Sequence, residues 1–146
     1  MNNSNSTVDV VLYLRGHSLD PTMVTSMLGT SGSKTRVKGE KWQTSTNQEV
    51  TAKIGLWTLD AKADSSSLSD QISWLKNKLS LAKCSPLNIQ GVEQVEINVF
   101  IALGSDDEGD GDYSSQLTAE DLTWLSSFGA SLSFKLTHSK PRILGY

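Results

Sequence analysis

Hydrophobic and polar positions alternate along this chain with two different periods. In "VDVVLYLRG" at 8–16, the stretch from Val8 to Leu14 is apolar and β-branched and predicts a strand partly buried on both faces, ended by Gly16. Residues 92–104, "VEQVEINVFIALG", alternate cleanly. Val95, Ile97, Val99, Ile101 and Leu103 fall on one side, and Glu96, Asn98, Phe100 and Ala102 on the other. "EVTAKIGLWTLD" at 49–60 reads as one strand, with Ala52, Ile54, Leu56 and Thr58 against Lys53, Gly55, Trp57 and Leu59, and Gly55 as a bulge position. "ASLSFKLTH" at 130–138 sets Leu132, Phe134 and Leu136 on one side. The basic stretch near 36–42 predicts a further edge strand, where lysines discourage edge-to-edge association.

Helical spacing occupies three other segments. In "LDPTMVTSMLG", Asp20 is a good N-cap, Pro21 suits the first helical position, Gly29 suits the residue after the last turn, and Val24 and Leu28 share a face. In "DSSSLSDQISWLKNKLSLAK", Ser67 with Asp70 resembles a capping box, Leu68, Ile72, Leu75 and Leu79 share a face, and the helix is expected to run to Lys83, with Pro86 stopping it. In "LTAEDLTWLSSFG", Thr118 is the N-cap, Glu120 and Asp121 oppose the helix dipole in the first turn, and Gly129 closes the helix. The helices are too few for a doubly wound parallel sheet. The order predicts an α+β fold: a single domain over 8–138, with a mostly antiparallel four- or five-stranded sheet and about three helices packed on it. Residues 1–7 read as a disordered tail and 139–146 as a Pro-broken C-terminal extension.

Composition narrows the class. The 146 residues suit one domain. No stretch reaches the roughly 20 apolar residues of a membrane helix. The N-terminus lacks the basic and apolar regions of a secretory signal. The single cysteine, Cys84, cannot form an internal disulfide, so a cytoplasmic location is expected and Cys84 reads as a structural thiol.

Charge changes the picture more. Between Cys84 and Phe134 there is no Lys or Arg, while Glu93, Glu96, Asp106, Asp107, Glu108, Asp110, Asp112, Glu120 and Asp121 give that stretch a charge of −9. With a net charge of −3 for the whole chain, the remainder carries +6. The densest acidic part, "GSDDEGDGDY" at 104–113, has Asp106, Glu108, Asp110 and Gly111 in the order that opens a helix–loop–helix calcium loop. The position that should hold a bidentate Glu is Leu117, however, and the preceding element is a strand, so a metal site is not expected. The run reads instead as an exposed loop able to attract a basic protein. The basic residues Lys34, Arg36, Lys38 and Lys41, interleaved only with Trp42, read as a charged edge, and nucleic-acid binding is not expected. "GHS" at 16–18 lacks the G-x-S-x-G context, and His17, His138 and Cys84 have no metal-ligand spacing.

The segment "GHSLDPTMVTSMLG", the "KGE" of Lys38 to Glu40, the Trp of "GLWTL", the amphipathic helix after it and "LTWLSSFGASLSF" together resemble a bacterial family of small proteins, the domain of unknown function 4279. They cover the chain from about Val8 to Leu136. The resemblance implies an α+β fold and no particular activity or catalytic residues. Two functions are expected. The first is a non-enzymatic protein-binding module of the immunity type, neutralising a basic bacterial toxin domain through Asp106, Asp107, Glu108, Asp110 and Asp112. The second is a small-molecule-binding protein or hydrolase with a site near His17, Asp20 and Trp57. No cofactor, metal, nucleic acid or membrane enters either. A convex acidic patch would favour the first and a concave pocket the second.

Overall fold

The apolar stretch near the N-terminus becomes the central strand of a sheet. The computed structural model describes residues 6–64, 67–104 and 114–138. Strand β1 (Thr7–Gly16) pairs antiparallel with β5 (Gly55–Asp60) on one side and with β6 (Gln94–Leu103) on the other. Strand β2 (Lys34–Arg36) adds antiparallel to β5 at one edge, and β7 (Ser131–His138) adds parallel to β6 at the other, giving the order β2-β5-β1-β6-β7. The short strands β3 (Lys41–Gln43) and β4 (Glu49–Thr51) form a separate hairpin. Helices α1 (Pro21–Leu28), α2 (Leu68–Lys78) and α3 (Ala119–Phe128) complete a single α+β domain.

Alternation decides which face the helices cover. Val8, Val10, Leu12 and Leu14 of β1 lie beside Val95, Ile97, Val99 and Ile101 of β6 and Trp57 and Leu59 of β5, all buried. Against them pack Val24 and Leu28 of α1, Leu68, Ile72 and Leu75 of α2, and Leu125 and Phe128 of α3. The opposite parity, including Tyr13, Arg15, Leu56, Glu96 and Asn98, forms the other face of the sheet and is only half-buried.

The helix boundaries follow their caps. The Asp20 carboxylate accepts from the Thr22 amide at 3.0 Å, and Gly29 closes α1. Ser67 accepts from the Asp70 amide, and Thr118 and Asp121 form a reciprocal capping box at the start of α3. Helix α2 stops at Lys78 rather than running to Lys83. The chain turns there, and the Lys83 amide donates to the Met27 carbonyl at 2.8 Å, tying the turn back to α1.

The stretch 49–60 is two strands, not one. Ala52 leaves the ladder to pair with the turn before β3: the Gly39 amide donates to its carbonyl and its own amide donates to the Glu40 carbonyl, both at 2.8 Å. Gly55 is a close approach rather than a bulge, because a Cβ there would lie 2.8 Å from the Gly16 carbonyl oxygen. The core face of β5 is that of Trp57 and Leu59, which leaves Ile54 and Leu56 on the opposite side. Phe134 and Leu136, expected on the apolar side of β7, do share a parity with Val99 and Ile101, but they lie at the sheet edge and are 50% and 60% exposed.

Candidate functional site

His17, Asp20 and Trp57, expected from the sequence to lie near one site, do not converge on one cleft. His17 is exposed, with its Nδ1 3.4 Å from Glu93 Oε1. The Asp20 carboxylate is engaged in capping α1. Trp57 is fully buried on the helix side of the sheet, and its indole Nε1–H donates to Thr25 Oγ1 at 3.1 Å. Thr25 and Trp57 belong to two of the sequence segments that carry the family resemblance, so this pairing of segments is a packing contact. Asp106, Asp107, Glu108, Asp110 and Asp112 lie outside the described residues. Among the described residues no group of three or more His, Cys, Asp or Glu could hold a metal ion. Cys84 is half-buried against the core.

A different cleft forms on the face of the sheet that the helices leave open. The register places Arg15 of β1 beside Leu56 of β5, and Arg36 of β2 on the other side of Leu56. One step along, Tyr13 flanks Thr58, and Lys34 lies beyond it. Side chains from three adjacent strands therefore project from the same end of the open face. The β3–β4 hairpin forms the other wall through Trp42, whose ring lies 3.5 Å from the Arg36 guanidinium carbon. The cleft encloses about 340 Å³, with Ala52, Ile54 and Leu56 as its apolar part.

The turn at Val37 to Glu40 fixes this wall. Gly39 has φ of +92°, a conformation in which a side chain would be strained. Its amide reaches Ala52, which anchors the hairpin to the segment before β5. Glu40 uses both carboxylate oxygens: Oε1 accepts from the Val37 amide at 3.1 Å and Oε2 from Arg36 Nη1 at 3.2 Å. The "KGE" segment thus holds the Arg36 guanidinium over the Trp42 ring, where the ring's negative face favours a cation.

A second arginine is oriented in the same manner. Arg15 lies 4.6 Å from the centre of the Tyr13 ring, and its Nη1 donates to Glu96 Oε1 at 3.1 Å. Glu96 in turn accepts from Ser133 Oγ at 2.8 Å. The Ser133 hydrogen bond, opposed by the cost of burial and helped by Arg15, holds the Glu96 carboxyl below the usual glutamate range, so it stays ionised and pairs firmly. Lys34 and Lys53 also line the cleft, are exposed, and form no ion pair among the described residues. The cleft therefore combines aromatic rings, an apolar floor and cations in excess over carboxylates.

The basic run does form an edge, through β2, but with Trp42 it also lines a cleft that the run alone does not reveal. The available signal was parity: Tyr13 and Arg15 alternate with Leu12 and Leu14, so they had to face away from the core. A model of the domain of unknown function DUF4279 matches residues 5–139. No curated protein and no solved structure matches the chain.

Proposed function

We propose that this chain, which belongs to the DUF4279 family, is a non-enzymatic binding module that takes an organic anion in the cleft between the open face of its sheet and the β3–β4 hairpin. The observation that carries this reading is the pair of arginines, each laid against a ring and each held by a carboxylate. Positioning of this kind reduces the entropy lost when an anion is engaged. Catalysis has less support there. The carboxylates beside the cleft, Glu40 and Glu96, are both bound to arginines, and Glu96 is pushed away from the near-neutral range that proton transfer favours. The acidic run that suggests a basic-protein partner lies outside the described residues, and the reading here rests on the cleft, which residues of β1, β2, β5 and the β3–β4 hairpin line.

Naphthalene-1-sulfonate, a flat monoanion, is a suitable probe in titration calorimetry. One molecule is expected to bind per chain. Trp42→Ala and, separately, Lys53→Glu should each weaken binding by about tenfold, a loss of about 1.4 kcal/mol. Lys83→Glu, at an exposed position outside the cleft, should leave it unchanged. Equal binding by wild type, Trp42→Ala and Lys53→Glu would contradict the reading.

A further inference from the structure

The charge balance of the cleft goes further than "an anion". Arg15, Lys34, Arg36 and Lys53 bring four cations, and Glu40 and Glu96 neutralise the two arginines, so two positive charges stay unpaired among the described residues. Both arginines bond their carboxylates through Nη1. A guanidinium has five N–H donors in a planar fork, so each arginine keeps donors for a ligand oxygen. The two lysines add compact, rotatable ammonium donors. On the same cleft, the half-buried Tyr13 and Trp42, each with an arginine over one ring face, offer their remaining ring surface, and Leu56 lies between Arg15 and Arg36 in the sheet.

We propose that the ligand is a phosphomonoester carried by a flat ring system, with its dianionic phosphate among Arg15, Lys34, Arg36 and Lys53 and its ring against Tyr13 and Trp42. This rests on the binding reading above and specifies its ligand. A phosphomonoester carries about −1.5 to −2 charges at pH 7 and three strong acceptor oxygens, which matches an excess of two cations; a carboxylate or a sulfate monoester supplies one charge. Charge-assisted bonds from arginine to phosphate are short and directional, and lysine contributes as a point charge. The ring requirement follows from the lining: a bare phosphate would leave the aromatic and apolar surface wet. The volume suits a molecule of mononucleotide or phosphorylated-side-chain size. Both a nucleoside monophosphate and a phosphotyrosine present this chemistry.

The test is titration calorimetry of the full chain at pH 7.5 with phenyl phosphate, phenyl sulfate and inorganic phosphate, followed by adenosine 5′-monophosphate and N-acetyl-phosphotyrosine amide. Phenyl phosphate is expected to bind about tenfold or more tighter than phenyl sulfate, its near-isosteric monoanion, and tighter than inorganic phosphate, which lacks the ring. In Lys34→Gln/Lys53→Gln the preference for phosphate over sulfate should collapse. Both lysines are exposed, so this variant tests charge without disturbing the core. The tighter of the two larger ligands identifies the source of the phosphomonoester. Equal affinity for phenyl phosphate and phenyl sulfate, in a protein that still binds naphthalene-1-sulfonate, would overturn the phosphomonoester and leave the cleft as the site. Absence of binding by the sulfonate and by every ester would overturn both.

Discussion

Asp121 joins two helices with one carboxylate. Its Oδ2 accepts from the Thr118 amide at 3.0 Å, completing the capping box of α3, and from Ser69 Oγ of α2 at 2.8 Å. Burial raises its pKa, but the Thr118 amide, the hydroxyls of Ser69 and Thr118, and the charge of Lys76 more than offset this, and the net direction is down. A carboxyl whose folded pKa lies below its unfolded one stabilises the fold above the unfolded value, near pH 4, and that contribution disappears as pH falls through the folded value. Asp121→Ala should therefore cost about 1–3 kcal/mol at pH 7. In urea denaturation the gap to wild type should narrow below about pH 4. A gap that is constant from pH 7 to pH 3 would mean that ionisation of Asp121 plays no part. The sequence showed the cap and the first-turn acids. It could not show Ser69, because that contact joins residues 52 apart.

At the scale of elements, the long amphipathic patterns were the readable ones. The apolar parity of β1 and β6 and the face of α2 appear where the periodicity put them, because each buries a stripe long enough to leave a signal, and the caps of α1 and α3 appear where the capping residues stand. Leu75 of α2 is fully buried against that core, and α2 lies chiefly over β1. Leu75→Ala should cost about 2–5 kcal/mol in chemical denaturation. A loss below about 1 kcal/mol would mean that α2 does not close the core. The β3–β4 hairpin was unreadable for a physical reason. Its strands are three residues long and mostly exposed, and a local turn supports it: the Thr44 amide donates to the Gln48 carbonyl, and Asn47 takes a φ of +64°. The parallel pairing of β7 with β6 was equally hidden, since alternation specifies a strand's face and not its direction.

Across the whole molecule, the helices protect one face of the sheet, and the opposite face presents a cleft at the end where β1 and β5 meet at Gly16 and Gly55. Its residues come from positions 13 to 56, and only the β2-β5-β1 register brings them together, which is why the site was legible as a basic run but not as a site. The proposed ligand is expected to enter this cleft and leave the helix side of the sheet untouched. The four tryptophan indoles report on it directly in a two-dimensional ¹H–¹⁵N spectrum. Trp42 lines the cleft, Trp57 is sealed in the core and bonded to Thr25, and Trp74 and Trp124 pack on the helix side. On titration with naphthalene-1-sulfonate, the Trp42 indole resonance should move progressively while that of Trp57 stays in place. A stationary Trp42 with movement at Trp74 or Trp124 would contradict the account.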